Sequence, residues 1–274
     1  MRTPERPQWA RHRAVLSRPS TKPGLLRELF ACPNPRLPPT LGESSFANRG
    51  EHAPVSHLWS EYWQDSRNLR WTIVDQVVLD RVATALGWGP DRTLLELGAG
   101  RGLHSHKLFE LMRCDEPDLY EVNPEMLHYM ERMGFRAIGN DSDLRSSYDV
   151  VWSYGVPEHF EEPMRQEIID RHFELSSDTV LLVIPRETWL RRNAARTDRI
   201  PARDFTDEEL RERLMRGAEK HWSGSATVRV EHFCPLFGIR HIPDSLYPVV
   251  EALVGWALPD GLLIGWARRD AGGS

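Results

Sequence analysis

The stretch Leu94-Leu95-Glu96-Leu97-Gly98-Ala99-Gly100-Arg101-Gly102 decides how this 274-residue chain folds. A run of large side chains with one acid near its end suits a strand covered on both faces. Three glycines at alternate positions then let the backbone turn tightly and come close to a ligand. The pattern predicts a helix beginning near Leu103, with Leu103, Leu108, Leu111 and Met112 on its inner face. Strand, glycine turn and helix in this order are how doubly wound α/β domains hold a nucleotide-like ligand at the carboxyl ends of their strands.

The spacing narrows the ligand. A dinucleotide fingerprint, G-x-G-x-x-G/A, requires Gly or Ala where the chain has Leu103, and no Gly-Lys-Ser/Thr follows to make a P-loop. G-x-G-x-G preceded by an acid two residues before the first glycine resembles motif I of the class I S-adenosylmethionine-dependent methyltransferases. The resemblance implies a Rossmann-like α/β fold: a doubly wound, mostly parallel seven-stranded sheet with an antiparallel last strand pair and helices on both faces. A helical N-terminal lid is expected in addition. The implied cofactor is S-adenosylmethionine, with S-adenosylhomocysteine as product.

Further landmarks follow in the family's order. Asp118 to Glu121 reads as a second strand; Asn123 can cap the next helix, with Pro124 at its first position and Gly134 as its stop. Glu121 falls about 20 residues beyond the glycine turn, where a carboxylate can accept hydrogen bonds from ribose hydroxyls; the alternative is a solvated acid at a strand end. The run Glu121-Val122-Asn123-Pro124-Glu125-Met126-Leu127 resembles the family's D-x-S-P-x-M-L pattern. Phe135 to Ile138 is a short third strand leading to Gly139-Asn140-Asp141-Ser142, and by resemblance Asp141 faces the adenine amino group. Tyr148 to Phe160 resembles the fourth motif, which closes the floor of the active site. The implied cofactor-binding set is Glu96, Gly98, Ala99, Gly100, Gly102, Glu121, Val122, Asn140, Asp141, Ser142, Ser153 and Tyr154, with Glu96 organising the cofactor's amino group.

Hydrophobic content of 40% and charged content of 27% are those of an ordinary globular protein. A net charge of −5 gives no overall attraction to nucleic acid or to an anionic membrane. Cys32, Cys114 and Cys234 are odd in number and far apart, suiting neither a disulfide framework nor a zinc site but fitting a reducing cytoplasm. No apolar run is long enough to span a bilayer, because Ala252 to Trp266 is broken by Pro259, Asp260 and two glycines, and no secretory signal is visible.

Three regions are expected. Residues 1–40 hold eight prolines and eight basic residues against Glu5 and Glu28, as a disordered tail, a wrapping arm or an anionic contact would. Residues 41–92 form a helical lid segment: Leu58, Trp59, Tyr62 and Trp63 recur at helical spacing, and Ile73 to Leu86 is an amphipathic helix ended by Gly87. By resemblance His57, Trp59, Tyr62 and Trp63 line the acceptor pocket, although aromatics at this spacing equally pack a helix onto a sheet. Residues 93–270 form the main domain. In it Thr179 to Pro185 is a fifth strand. Thr206-Asp207-Glu208-Glu209 is a capping box opening a helix that Gly217 would end. Thr227 to Phe233 and Leu262 to Ala267 are the last two strands, with an insertion near 234–258.

The implied reaction is in-line displacement of an activated methyl onto an O or N atom, which is chiefly positioning catalysis. His159 and Glu158 lie at the end of the fourth motif, His159 as a general base if one is needed, although many relatives of the resembled family carry a histidine here for structural reasons; Tyr154 is an orienting group or, equally, a core tyrosine. The adenine- and glutamine-methylating signature Asn/Asp-Pro-Pro-Tyr is absent, the place reading Ser153-Tyr154-Gly155-Val156. A small-molecule acceptor leads by elimination, with nucleic acid disfavoured. The alternatives are a protein or RNA methyltransferase docking through the basic arm, and a non-catalytic S-adenosylmethionine-binding module. Oligomeric partners are not readable.

Overall fold

A computed structural model describes residues 59, 62, 71–87, 92–112, 116–188, 202–223, 225–234, 245–255 and 260–270. The expectations for residues 1–40, His57, Leu58, Trp63, Cys32, Cys114 and Trp256 lie outside these described residues. The elements are α1 (Ile73–Leu86), β1 (Leu94–Leu97), α2 (Leu103–Met112), β2 (Asp118–Tyr120), α3 (Pro124–Arg132), β3 (Ala137–Ile138), β4 (Tyr148–Tyr154), α4 (Met164–Leu175), β5 (Ser176–Pro185), α5 (Asp207–His221), β6 (Ala226–Phe233), α6 (Tyr247–Val254) and β7 (Leu262–Arg269).

The seven strands form one sheet in the order β3-β2-β1-β4-β5-β7-β6. The first five pair in parallel, and β7 runs antiparallel to both of its neighbours. Every strand except β7 therefore ends at the same edge. The strand order reverses between β1 and β4, which opens a crevice at that edge.

Side chains alternate between two apolar layers with the period of two that a strand imposes. Leu94, Val150, Trp152, Leu181, Val183, Leu262 and Ile264 join Val78, Val82 and Leu86 of α1 on one face. Val180, Leu182, Ile184, Leu263 and Ala267 join Phe173 of α4 with Leu210 and Leu214 of α5 on the other. Among the described residues no helix is long and apolar enough to cross a membrane.

The helix ends have local causes. Thr72 and Asp75 form a reciprocal capping box at the start of α1, which Gly87 ends in the left-handed conformation at φ 56°. The Asn123 side chain accepts from the amides of Glu125 (2.9 Å) and Met126 (3.3 Å), and Pro124 opens α3. Gly134, at φ 77°, follows the end of α3.

The sequence pattern misses in four places. Strand β3 covers only Ala137–Ile138, because its partner β2 offers only Leu119 and Tyr120 for pairing. Strand β5 starts at Ser176, three residues early and directly after α4; Ser176, Ser177 and Asp178 carry little strand signal, yet the hydroxyls of Ser176 and Ser177 bond to Thr179 O and Tyr148 O. At α5 only half of the capping box forms: Thr206 accepts from the Glu209 amide, whereas the Glu209 carboxylate turns to Arg213 at 2.9 Å. Gly217 does not end α5, which continues to His221. Instead it lets the helix lie against Phe173: a Cβ there would stand 2.4 Å from two ring atoms.

That contact predicts the sign of one substitution. In an exposed helix interior, Gly→Ala stabilises by about 1 kcal/mol. At Gly217 the added methyl must displace a core ring, an overpacking of about 1–3 kcal/mol. Gly217→Ala is therefore expected to lower the urea midpoint; a raised midpoint would show that the ring gives way freely.

Candidate active site

The glycine loop hangs from the second strand. The amides of Gly98 and Ala99 both donate to Tyr120 O, at 2.9 and 3.0 Å. Gly98 and Gly102 have φ of 71° and 68°, in the left-handed region. A Cβ on Gly98 would lie 2.6 Å from Val156, in the turn after β4, and one on Gly102 2.4 Å from Leu119. The first glycine thus lets the loop pass close to that turn, and the last lets α2 pack on β2.

Glu121, at the end of β2, binds this loop to the helix beyond it. Its Oε2 accepts from the Gly100 amide at 2.8 Å; its Oε1 accepts from Val122 (2.8 Å) and Asn123 (2.9 Å). Burial raises its pKa above the ordinary glutamate value, and the three amide donors work against that rise. Beside it Val122 is 51% exposed, an apolar side chain open to solvent at the sheet's carboxyl edge.

Glu96 is 2% exposed at the same edge. Burial pushes its pKa up to about 7, countered in part by His104 and by hydrogen bonding from Ser105. Trp152 Nε1 donates to Ser105 Oγ at 2.9 Å and so holds that hydroxyl in place. Glu96 Oε2 is buried and has no hydrogen-bond partner among the described residues. His104 Nε2 lies 3.0 Å from Asp75 Oδ1, while Asp75 Oδ2 accepts from the Thr72 amide and hydroxyl at 2.7 Å each. Arg101, within the loop, is 8% exposed and lies in the fields of Tyr129, Asp75 and Tyr62.

The end of β4 closes the crevice. Burial pushes the Tyr154 hydroxyl well above its ordinary pKa, and Asp75, Tyr62 and Glu158 act in the same direction. Gly155 turns the chain at φ 71° into a 3-10 turn, Pro157–His159. Glu158 is buried, with Oε1 3.8 Å from His159 Nε2. The ring of Trp59 stands edge-on to His159 at 4.9 Å and to Tyr62 at 5.7 Å. Tyr154 is edge-on to His104 at 5.0 Å, and Trp71 lies 5.2 Å from His104.

The remaining sequence candidates are placed as follows. Asp141 lies beyond β3, where its carboxylate accepts from the Tyr120 hydroxyl at 2.8 Å and pairs with Arg171 at 3.5 Å. Asn140 makes no side-chain cap, and Ser142 Oγ donates to Asp143 at 3.3 Å. Ser153 is fully buried, with its hydroxyl 2.9 Å from His172 Nε2. Burial lowers the His172 pKa to about 4, so its Nδ1–H donates to Ile168 O and Nε2 accepts from Ser153. The Ser153 hydroxyl is thus engaged in a core hydrogen bond. Sequence reasoning did not find Asp75, Arg101, His104 or Ser105. Nothing in the sequence joins position 75 to position 104.

No protein-family model matches this chain, and no curated protein does. Solved structures do share its fold. Magnesium protoporphyrin IX methyltransferase from Synechocystis, with bound SAH, is 15% identical with a TM-score of 0.50 over 71% of this chain and 83% of that one. A SAM-dependent methyltransferase from Archaeoglobus fulgidus is 15% identical with a TM-score of 0.51 over 71% and 94%. A mycolic acid cyclopropane synthase complexed with SAH is 15% identical with a TM-score of 0.50 over 70% and 83%. At these identities the likeness is one of fold.

Two substitutions test the electrostatics of the crevice. With its native pKa raised from 4.5 to about 7, Glu96 contributes stability that is present below about pH 4.5 and lost as pH rises through 7. The loss is about 3 kcal/mol, and Glu96→Gln is expected to abolish that part of the stability–pH curve in denaturant titrations at pH 5 and 8. Glu121→Gln sets an amide donor against at least one backbone N–H. It is expected to destabilise by about 2 kcal/mol and to increase hydrogen exchange at Gly100.

Proposed function

We propose that this chain, folded as the class I methyltransferases are, transfers the methyl group of S-adenosylmethionine to an O or N atom of a small-molecule acceptor. The observation that carries the reading is the Glu96 carboxylate: buried, half-satisfied and beside a glycine loop at the carboxyl edge of the sheet. A buried acid of this kind calls for a cationic partner, and the α-ammonium of the cofactor is such a group. The left-handed glycines supply the close backbone approach that a nucleoside requires.

In this reading Glu96 holds the amino group, Gly98, Ala99, Gly100 and Gly102 form the cradle, Glu121 meets the ribose, and Val122, Asn140, Asp141 and Ser142 flank the adenine. When bound, S-adenosylmethionine supplies a methyl group on a positively charged sulfur, activated for transfer. The chain's own work is to align the acceptor and exclude water. Tyr154 stays protonated throughout the physiological range and so acts as a donor that orients. His159, beside Glu158, is the group placed to take a proton. Trp59 and Tyr62 form the acceptor side. A reducing, cytoplasmic setting belongs to the same reading, in which Cys234 is a buried thiol 3.1 Å from the Tyr247 hydroxyl.

Calorimetric titration with S-adenosylhomocysteine tests the cofactor assignment. An ammonium beside Glu96 lowers its pKa from about 7, so binding below pH 7 expels a proton. Affinity is then expected to weaken about tenfold for each pH step of one below 7 and to level off above it. Glu96→Gln should flatten the profile. Absence of binding by folded wild-type protein would overturn the cofactor assignment.

A further inference from the structure

We propose that strand β6 is a self-association edge, pairing antiparallel with β6 of a second copy of this chain about a two-fold axis level with Val230. The inference stands on the edge of the sheet and is independent of the proposed function.

The two edges of the sheet differ. Strand β3 closes one of them with two residues, too short to template another chain. Strand β6 closes the other with eight, Ala226–Phe233. Each of these pairs one-to-one with β7, from Ala226 on Arg269 to Phe233 on Leu262. An edge strand turns alternate amides and carbonyls away from its neighbour. Among the described residues no group takes those of β6. Devices that blunt such an edge are missing, since the strand has no proline, no lysine and no break in its register.

Side-chain identity selects the occupant. Arg229 and Glu231 are exposed on one face of β6, whereas Ala226, Val228 and Val230 pack toward α5 on the other. Arg229 lies over the Trp266 ring at 5.3 Å and has no ion pair among the described residues. Glu231 meets Arg81 at 3.9 Å, with the two side chains 47% and 43% exposed. Directly opposed residues of an antiparallel pair share a face, so the axis of a two-fold self-pairing lies level with a residue and not between two. Level with Arg229 it opposes two guanidinium groups, and level with Glu231 two carboxylates. Level with Val230 it sets Arg229 against the partner's Glu231 and Glu231 against the partner's Arg229, with valine against valine on the other face. One register thus matches both charges twice. A foreign strand would need the same charges in the complementary order, which β6 supplies for itself.

Sedimentation equilibrium of the full-length protein, over a range of protein and salt concentrations, is the test. A monomer–dimer equilibrium is expected that weakens with added salt. Glu231→Arg or Arg229→Glu alone opposes like charges in both pairs and is expected to weaken the dimer about tenfold. The double variant that exchanges the two charges should restore it, and an equimolar mixture of the two single variants should form a heterodimer. Hydrogen exchange of the backbone amides within 226–233 should slow as protein concentration rises, and the urea midpoint reports that each variant is folded. A protein monomeric at every concentration overturns the proposal. So does a dimer that ignores the charge reversals or is not restored by their exchange, and so does open-ended assembly.

Discussion

The crevice depends on one carboxylate. Glu121 accepts three backbone amides, one from the glycine loop and two from the turn that opens α3. The loop after β1 is bound in addition to the strand itself, through the amides of Gly98 and Ala99 on Tyr120 O. Charge-assisted bonds to amides are stronger than neutral ones. Three of them on a buried acid offset much of its desolvation and make loop, strand end and helix start one rigid unit. The glycines make that closeness possible: a side chain at Gly98 or Gly102 would collide with Val156 or Leu119 before the loop could reach its position.

Charges elsewhere in the fold show what an acid paired with cations looks like. Asp118, fully buried at the opposite end of β2, meets Arg136 at 2.9 Å, Arg145 at 3.2 Å and the Tyr148 hydroxyl at 2.7 Å. Arg165, 1% exposed, donates through Nε to Phe160 O at 2.9 Å and lies over the ring of Phe205. Glu96 is different: it combines near-complete burial with no ion pair among the described residues, and its Oε2 has no hydrogen-bond partner there. Low dielectric makes such a group expensive in isolation and strongly attractive to an incoming cation. The contrast between Asp118 and Glu96, on neighbouring strands, is between an acid held by two guanidinium groups and one with no ion pair among the described residues.

The fold was largely legible in the sequence because its signals are local. Apolar runs mark β1 and β4, Asn123-Pro124 marks the start of α3, and Gly87 marks the end of α1; each acts through its own backbone or near neighbours. The errors came where a distant residue overruled a local signal. Gly217 looks like a helix stop, but Phe173 on another helix uses its missing side chain for packing. Ser176 to Asp178 look like a loop, but pairing with β4 draws them into the sheet.

By itself, then, the sequence determined the strand–turn–helix order, the resemblance that names a nucleoside-bearing cofactor, and the backbone turns that only glycine adopts easily. Tertiary structure alone decided which polar groups face the crevice. Asp75 and His104 are distant in sequence yet meet at 3.0 Å, and Trp59 comes to rest on His159 across a hundred intervening positions. The reason is physical: a left-handed φ or a helix cap depends on the identity of one or two residues. The burial, partner and charge state of a side chain depend on every element packed against it.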